Sequence, residues 1–231
     1  MMYRAEDKFQ CSEMEMRILQ SRVGAVLKAD SNQSDDFGYK VTSLYFDDIY
    51  DSCLRDTESG VGIRQKYRVR IYNNSLQAIK LEIKYKRYNR VHKKSAGISR
   101  EQLEALIHGK RMEDLSPASD NPVTIFNAAI SQRGLQPKVI VEYDRKAYVF
   151  AAGNVRITFD RNVRASRRVT EFGDAALTYT PVTGNNNVLE VKYDEFLPGF
   201  IAQLMEMGNM NQSTFSKYRM CSEVFQNHRG D

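Results

Sequence analysis

No stretch of the chain approaches the roughly 20 consecutive apolar residues that a membrane-spanning helix needs, and the opening MMYRAEDKF lacks the apolar core of a signal peptide. Tryptophan is absent and proline sparse, with 5 in 231 residues. No Pro-, Gly- or Ser-rich linker, internal repeat or low-complexity tract divides the sequence. The expectation is therefore one domain over residues 1–231, soluble and cytoplasmic, with 42% hydrophobic residues to build its core. Cysteine is limited to Cys11, Cys53 and Cys221, an odd number, far apart and without CxxC spacing. That pattern argues against a disulfide framework and leaves reduced, structural thiols. Histidine is limited to His92, His108 and His228 in polar stretches, which gives a zinc centre or a His-based nucleophile relay little to work with.

What is present is strict alternation of charge and grease. KLEIKYK sets Lys80, Glu82, Lys84 and Lys86 on one face of a strand and Leu81, Ile83 and Tyr85 on the other. RQKYRVRIY places Arg64, Lys66, Arg68 and Arg70 on one face. VRITFD alternates Arg156, Thr158 and Asp160 against apolar residues, VLEVKY does so with Glu190 and Lys192, and YRAEDKF offers Arg4, Glu6 and Lys8. For a single strand the ordinary reading is a solvated charged face over a core. Like charges repeated at this spacing repel unless something anionic lies between them.

The net charge of +5 and pI near 9.0 point to an anionic partner without naming it. The run YKRYNRVHKK interleaves tyrosine with Lys and Arg, as single-strand nucleic-acid binders do, and reads equally as the exposed end of a strand running into a loop. Against nucleic acid stand the carboxylates Glu6, Glu82 and Glu190, spaced among the cations, where they would repel a phosphate backbone unless a metal intervened. Carboxylates among many cations fit a metal and phosphate site better.

Periodicity predicts strands near 3–9, 40–48, 62–72, 77–87, 137–150, 153–160 and 187–193. A helix is expected over Ser12–Asp30 with Ser12 as N-cap, another from the capping box Ser99/Gln102 to Gly109, and others around 121–133, 198–210 and 214–226. Turn signals at Asn73–Asn74, Gly153–Asn154 and residues 183–187 join strand to strand and favour antiparallel pairing. The class is α+β. Two arrangements satisfy it: a sheet with one solvated face, or a sheet closed on itself with charges inward and helices covering the oily outside.

The ordered set RAEDKF, SLYFDD, RQKYRVRIY, KLEIKYK, VEYDRKAY, VRITFDRNVRA, VLEVKY and STFSKY resembles the VTC domain from about residue 3 to residue 220. That domain is the polyphosphate polymerase part of the vacuolar transporter chaperone complex, has bacterial stand-alone relatives, and belongs to the triphosphate tunnel metalloenzyme superfamily. The resemblance implies a closed antiparallel β-barrel, open at both ends, whose charged lumen binds a triphosphate and a divalent metal, with helices outside. It implies that Arg68, Arg70, Lys84, Arg145 and Arg156 act on the phosphates, that Lys8, Lys94, Lys192, Ser216 and Lys217 bind phosphate or ATP, and that Glu190, with Glu6 or Glu82, holds Mn²⁺ or Mg²⁺.

The implied reaction is transfer from ATP to a growing polyphosphate chain with release of ADP. The alternatives are an inorganic or nucleoside triphosphatase, or a non-catalytic polyphosphate- or nucleic-acid-binding module. The partners expected are ATP and polyphosphate or triphosphate, with no nucleic acid, and with room for a membrane-protein partner. This sequence carries no counterpart of the SPX domain or membrane span of larger relatives. Thr214 stands where some polymerases carry another Lys, which would weaken retention of a long chain.

Overall fold

Alternating segments become strand almost wherever they occur, because a period of two lets one face meet a core while the other stays polar. The computed structural model describes residues 3–33, 38–182, 184, 187–206 and 215–226. Its strands are β1 (Arg4–Gln10), β2 (Lys28–Ala29), β3 (Tyr39–Asp47), β4 (Ile63–Tyr72), β5 (Ser75–Arg87), β6 (Arg90–Ile98), β7 (Gln136–Phe150), β8 (Val155–Ser166), β9 (Thr180–Pro181) and β10 (Val188–Tyr193). Its α-helices are α1 (Glu13–Val26), α2 (Ser52–Glu58), α3 (Arg100–Ile107), α4 (Pro122–Arg133), α5 (Gly199–Leu204) and α6 (Lys217–Gln226).

The long strands hydrogen-bond in the order β7-β3-β4-β5-β6-β1-β10-β8, and β8 pairs back to β7. Every pairing is antiparallel, so the sheet is a closed eight-stranded barrel, with β2 and β9 as short additions on β7 and β8. Of the two arrangements open at the sequence level, closure is the one adopted. The oily faces point outward into two packed layers. Val69, Ile71, Leu81 and Ile83 join Leu103 and Leu106 of α3, Phe126 of α4 and Cys221 of α6 in one. Met16, Leu19 and Val23 of α1 cover Ile157, Phe159, Leu189 and Val191 in the other, with Ile201 of α5. Ile83, Leu81 and Val69 are wholly buried, each contributing roughly 1.5–3 kcal/mol. Cys11, Cys53 and Cys221 are buried and none is in a disulfide.

The helix starts follow their caps. Ser12 and Ser99 both form capping boxes, with Glu15 and Gln102. Asn73 and Asn74 take φ of 51° and 53°, the left-handed pair that a two-residue hairpin turn demands. At the β7–β8 turn Gly153 has φ 73°, and a Cβ there would stand 2.6 Å from the Phe196 carbonyl oxygen, so only glycine fits.

Three expectations are corrected. YKRYNRVHKK does not run into a loop: it turns at Tyr88–Asn89 and returns as β6. The turn was hidden because its left-handed residue is Tyr88, φ 55°, and not glycine or asparagine. The helix α2 lies where no helix was expected. Its first N–H, of Ser52, donates to the Asp48 carboxylate at 3.0 Å, and the next two, of Cys53 and Leu54, to the Asp47 carboxylate at 2.9 and 3.0 Å, a cap several residues upstream of the helix. The first helix stops at Val26, short of Asp30, because Lys28 and Ala29 pair with β7. Residues 207–214, including Thr214 and the expected start of the last helix, and His228 lie outside the described residues. Among the described residues no helix is long and apolar enough to cross a membrane.

Candidate functional site

Register and closure together build a charged lumen. Lys8 on β1 stands opposite Glu190 on β10, and Glu6 opposite Lys192. Arg68 on β4 faces Glu82 on β5, and Lys66 faces Lys84. Three cavities run in series through this interior. One, of about 340 Å³, opens where β4 begins and β5 ends, lined by Glu6, Lys8, Arg64, Lys66, Lys84 and Lys86. A second, of about 360 Å³, opens at the other end, among Arg4, Arg68, Arg70, Lys93, Arg156 and Lys192. A narrow one of about 70 Å³ lies between, and Lys84 lines all three.

Each lumenal carboxylate is divided among several cations. Glu6 and Glu190 sit side by side and share two lysines. Lys8 Nζ lies 3.7 Å from Glu6 and 3.8 Å from Glu190, and Lys192 pairs with Glu6 at 3.3 Å and closely with Glu190. Lys84 Nζ adds a bond of 2.7 Å to Glu6. Burial pushes the Glu6 carboxyl upward, yet Lys8, Lys84 and Lys192 together hold it at about 2. Glu190 is likewise kept well below the usual carboxylate range, with Lys192 and Lys8 outweighing its burial. Asp160 accepts both arms of Arg145, at 2.6 and 2.7 Å, and pairs with Lys217 at 2.6 Å. Glu82 binds Arg68 and Lys93, each at 2.6 Å, with Arg70 at 3.7 Å.

Cations still outnumber these carboxylates. Lys84 is pushed down to about 7, first by burial and then by Lys8 and Lys192, with Glu6 opposing. Lys66 falls well below the ordinary lysine value through burial and the neighbouring Lys8, Lys84 and Arg64, and donates to Ser216 Oγ at 2.8 Å. Lys8 moves the other way, because Glu6 and Glu190 overcome the cost of its burial. Ammonium groups under such strain gain from any anion that enters, since Coulomb energy at these separations is about 4 kcal/mol per pair at an intermediate dielectric.

The segment Phe215–Tyr218 closes one side of the interior. The Phe215 carbonyl accepts from Lys8 at 3.2 Å, and Lys217 reaches Asp160. Tyr218 stacks on Tyr45 with ring centroids 5.0 Å apart and donates to Asp47 at 2.8 Å. Arg70 is aimed by Ser43 Oγ at 3.0 Å and the Tyr143 hydroxyl at 3.3 Å, and Arg68 by the Tyr45 hydroxyl at 3.0 Å. Arg156 stands at the second mouth, held by Asp30 and the Tyr39 hydroxyl, both at 2.9 Å.

Of the residues expected to form the site, Lys8, Arg68, Arg70, Lys84, Arg145, Lys192, Ser216, Lys217, Glu6 and Glu190 converge on this lumen, and Arg156 stands at its mouth. Lys94 does not. It projects from the outer side of β6 and donates to the Asp120 carbonyl at 3.2 Å, while its neighbour Lys93 takes the inward position. Glu82 is inside but, among the described residues, shares no ion-pair partner with Glu6 or Glu190; it organises Arg68, Arg70 and Lys93 instead. Lys66, Tyr45 and Tyr143 were missed. Lys66 was legible, being on the face of Arg68; the tyrosines carry no signal beyond alternation.

The VTC domain model matches residues 3–226. No curated protein matches the chain. Among solved structures, the chain is similar to a putative adenylyl cyclase, HpAC1 from Hippeastrum, described as having a dominant triphosphatase activity, with TM-score 0.54, 12% identity and coverage of 99% of this chain and 96% of that one. It is also similar to the PH1819 protein from Pyrococcus horikoshii OT3, with TM-score 0.50, 14% identity and coverage of 97% and 99%. At such identities these likenesses establish the fold alone, a closed antiparallel β-barrel with helices packed outside. With the family match spanning nearly the whole of a barrel whose interior is charged in register, the chain belongs to the VTC domain family.

Proposed function

We propose that the protein is an ATP-dependent polyphosphate polymerase, transferring the terminal phosphoryl group of ATP to a polyphosphate chain inside the lumen. The observation that carries this reading is the series of three cavities, all touched by Lys84, in which cations exceed carboxylates and two of those carboxylates, Glu6 and Glu190, stand together. Phosphoryl transfer needs charge neutralisation and in-line alignment more than covalent help. Arg68, Arg70 and Arg145 can grip phosphate oxygens bidentately, and Lys8, Lys84 and Lys192 supply point charge.

The donor set fits a divalent cation. Two hard oxygen ligands from Glu6 and Glu190, completed by substrate phosphates and water, are what Mg²⁺ or Mn²⁺ takes. Among the described residues no three metal-ligating side chains of His, Cys, Asp or Glu converge, so substrate oxygens would supply the remaining ligands. When bound there, the ion would neutralise charge on the bridging phosphate oxygens. Lys8 and Lys192, freed from the carboxylates, would turn to the phosphates.

A triphosphatase is the second reading, favoured by the activity reported for the Hippeastrum neighbour. The lumenal carboxylates weigh against it. Glu6, Glu82, Asp160 and Glu190 are each tied to at least two cations, so none is placed to take a proton from water. The terminal phosphate of a chain arrives ionised and needs no proton removed. Cavities of this size also take a triphosphate and not a duplex, which counts against nucleic acid. Incubation with ATP and Mn²⁺ or Mg²⁺, with products resolved on a gel, should give long chains and stoichiometric ADP. Orthophosphate alone, across metals and primers, would establish the triphosphatase instead.

A further inference from the structure

Both mouths of the lumen are basic, the first through Lys8, Arg64, Lys66, Lys84 and Lys86, and they differ in what stands on the rim. The second gathers the larger number of cations, with Arg4, Lys93, Arg156 and Lys192 beyond the central arginines and the rings of Tyr72 and His92 set among them. The first has an aromatic ring on its rim: Tyr88, 68% exposed, with Asn89 beside it, at the tip of the β5–β6 hairpin.

Tyr88 occupies a position that ill suits it. Its φ of 55° is the left-handed conformation that glycine and asparagine adopt most readily. The other hairpins of this barrel use Asn73, Asn74, Gly153 and Asn154 at such positions. The turn is fixed by the Tyr88 N–H, which donates to the Gly62 carbonyl at 2.6 Å. The ring lies against Gly62, where a Cβ would stand 2.9 Å from a ring carbon. A ring is thus kept in a strained turn, over a glycine that leaves room for it, facing a cavity whose deeper walls carry Arg64, Lys86, Lys66 and Lys84. Strained residues of this type concentrate at ligand clamps.

We propose that Tyr88 and Asn89 form a nucleobase platform, so that the nucleoside triphosphate enters by this mouth while the polyphosphate chain occupies the cation-rich one. The proposal rests on the polymerase reading and gives its tunnel a direction. The base stacks on the Tyr88 ring, the Asn89 amide is available to base or ribose, and the phosphates run inward past Lys66 and Lys84 to Glu6 and Glu190. A terminal oxygen of the chain, arriving from the opposite side, forms the new bond to the γ-phosphorus. The bond from that phosphorus to the β,γ-bridging oxygen breaks, its electron pair stays on ADP, and ADP leaves by the Tyr88 mouth. Stacking tolerates any base, so the site takes nucleoside triphosphates as a class.

The test is equilibrium binding of ATP and of tripolyphosphate to the full chain in EDTA, with Tyr88→Asn and Tyr88→Phe. Tyr88→Asn suits the turn and keeps the fold. It should weaken ATP binding about tenfold and leave tripolyphosphate binding unchanged, while Tyr88→Phe should retain both. ATP affinity unchanged in Tyr88→Asn, or lost in step with tripolyphosphate, would overturn the platform while leaving the tunnel intact. A wild-type protein that binds neither ligand, in EDTA or with Mn²⁺ added, would overturn the polymerase reading and the platform with it.

Discussion

Glu190 and Glu82 are both buried lumenal carboxylates, yet their partners give them different work. Glu82 holds Arg68, Lys93 and Arg70 in place, whereas Glu190 shares Lys8 and Lys192 with a second carboxylate, Glu6. Glu190→Gln should therefore lower metal-dependent turnover roughly 100-fold, the scale on which removal of one preorganised electrostatic group acts. Metal-free tripolyphosphate binding should tighten in the same variant, because Lys8 and Lys192 lose a competing anion. Steady-state rates and calorimetry would check both, and wild-type turnover in the variant would remove Glu190 from the metal site. These roles were only half legible in the sequence. Alternation put Glu6, Glu82 and Glu190 on charged faces alike, but which carboxylates become neighbours depends on β1 pairing with β10, a contact between strands nearly the whole chain apart. The resemblance implies Lys94, yet Lys93 is the residue that faces inward: neighbours on a strand point to opposite faces, and β6 was not among the strands that the alternation set.

At the scale of elements, periodicity carried far. The capping boxes at Ser12 and Ser99 and the strands β1, β3, β4, β5, β7, β8 and β10 stand close to where the pattern set them. Elements whose signals lie elsewhere were lost. The turn before β6 has a tyrosine in the left-handed position, and α2 borrows its cap from Asp47. Ile83 on β5 tests the outward-facing grease. It is wholly buried in the layer that includes Leu103 and Phe126. Ile83→Asp would put a carboxylate there without a partner, and should cost at least about 3 kcal/mol in a denaturant titration. A change within about 0.5 kcal/mol would mean that the outer face of β5 is not covered by helices.

The whole molecule works as a charge trap closed by geometry. Barrel closure was one of two arrangements that the alternation allowed, and only the resemblance to a tunnel family favoured it before the strands were seen to pair β8 to β7. Closure buries ammonium groups beside one another where an open face would let water screen them, and Lys84, in contact with all three cavities, registers first that burial and then the neighbouring Lys8 and Lys192 with a pKa pushed down to about 7. The sign follows. A bound polyanion favours the charged amine and raises that pKa, so binding takes up protons near neutral pH. The contribution of Lys84 to affinity is full below about 7 and is lost as the pH rises from there through the raised pKa of the complex. The same depression is expected to leave part of the empty tunnel's Lys84 as the nucleophilic free amine, against the hold of Glu6 at 2.7 Å.

The most direct test of the tunnel is thus the rate of amine modification at Lys84, read by peptide mass spectrometry at pH 7.5 or so, with Lys28 on the exposed strand β2 as the external control. Lys84 should react readily in the free protein and be strongly protected by tripolyphosphate with Mn²⁺, while Lys28 keeps its rate. Undiminished reactivity of Lys84 at saturating polyanion, or equal protection of both lysines, would contradict a lumen that binds the triphosphate.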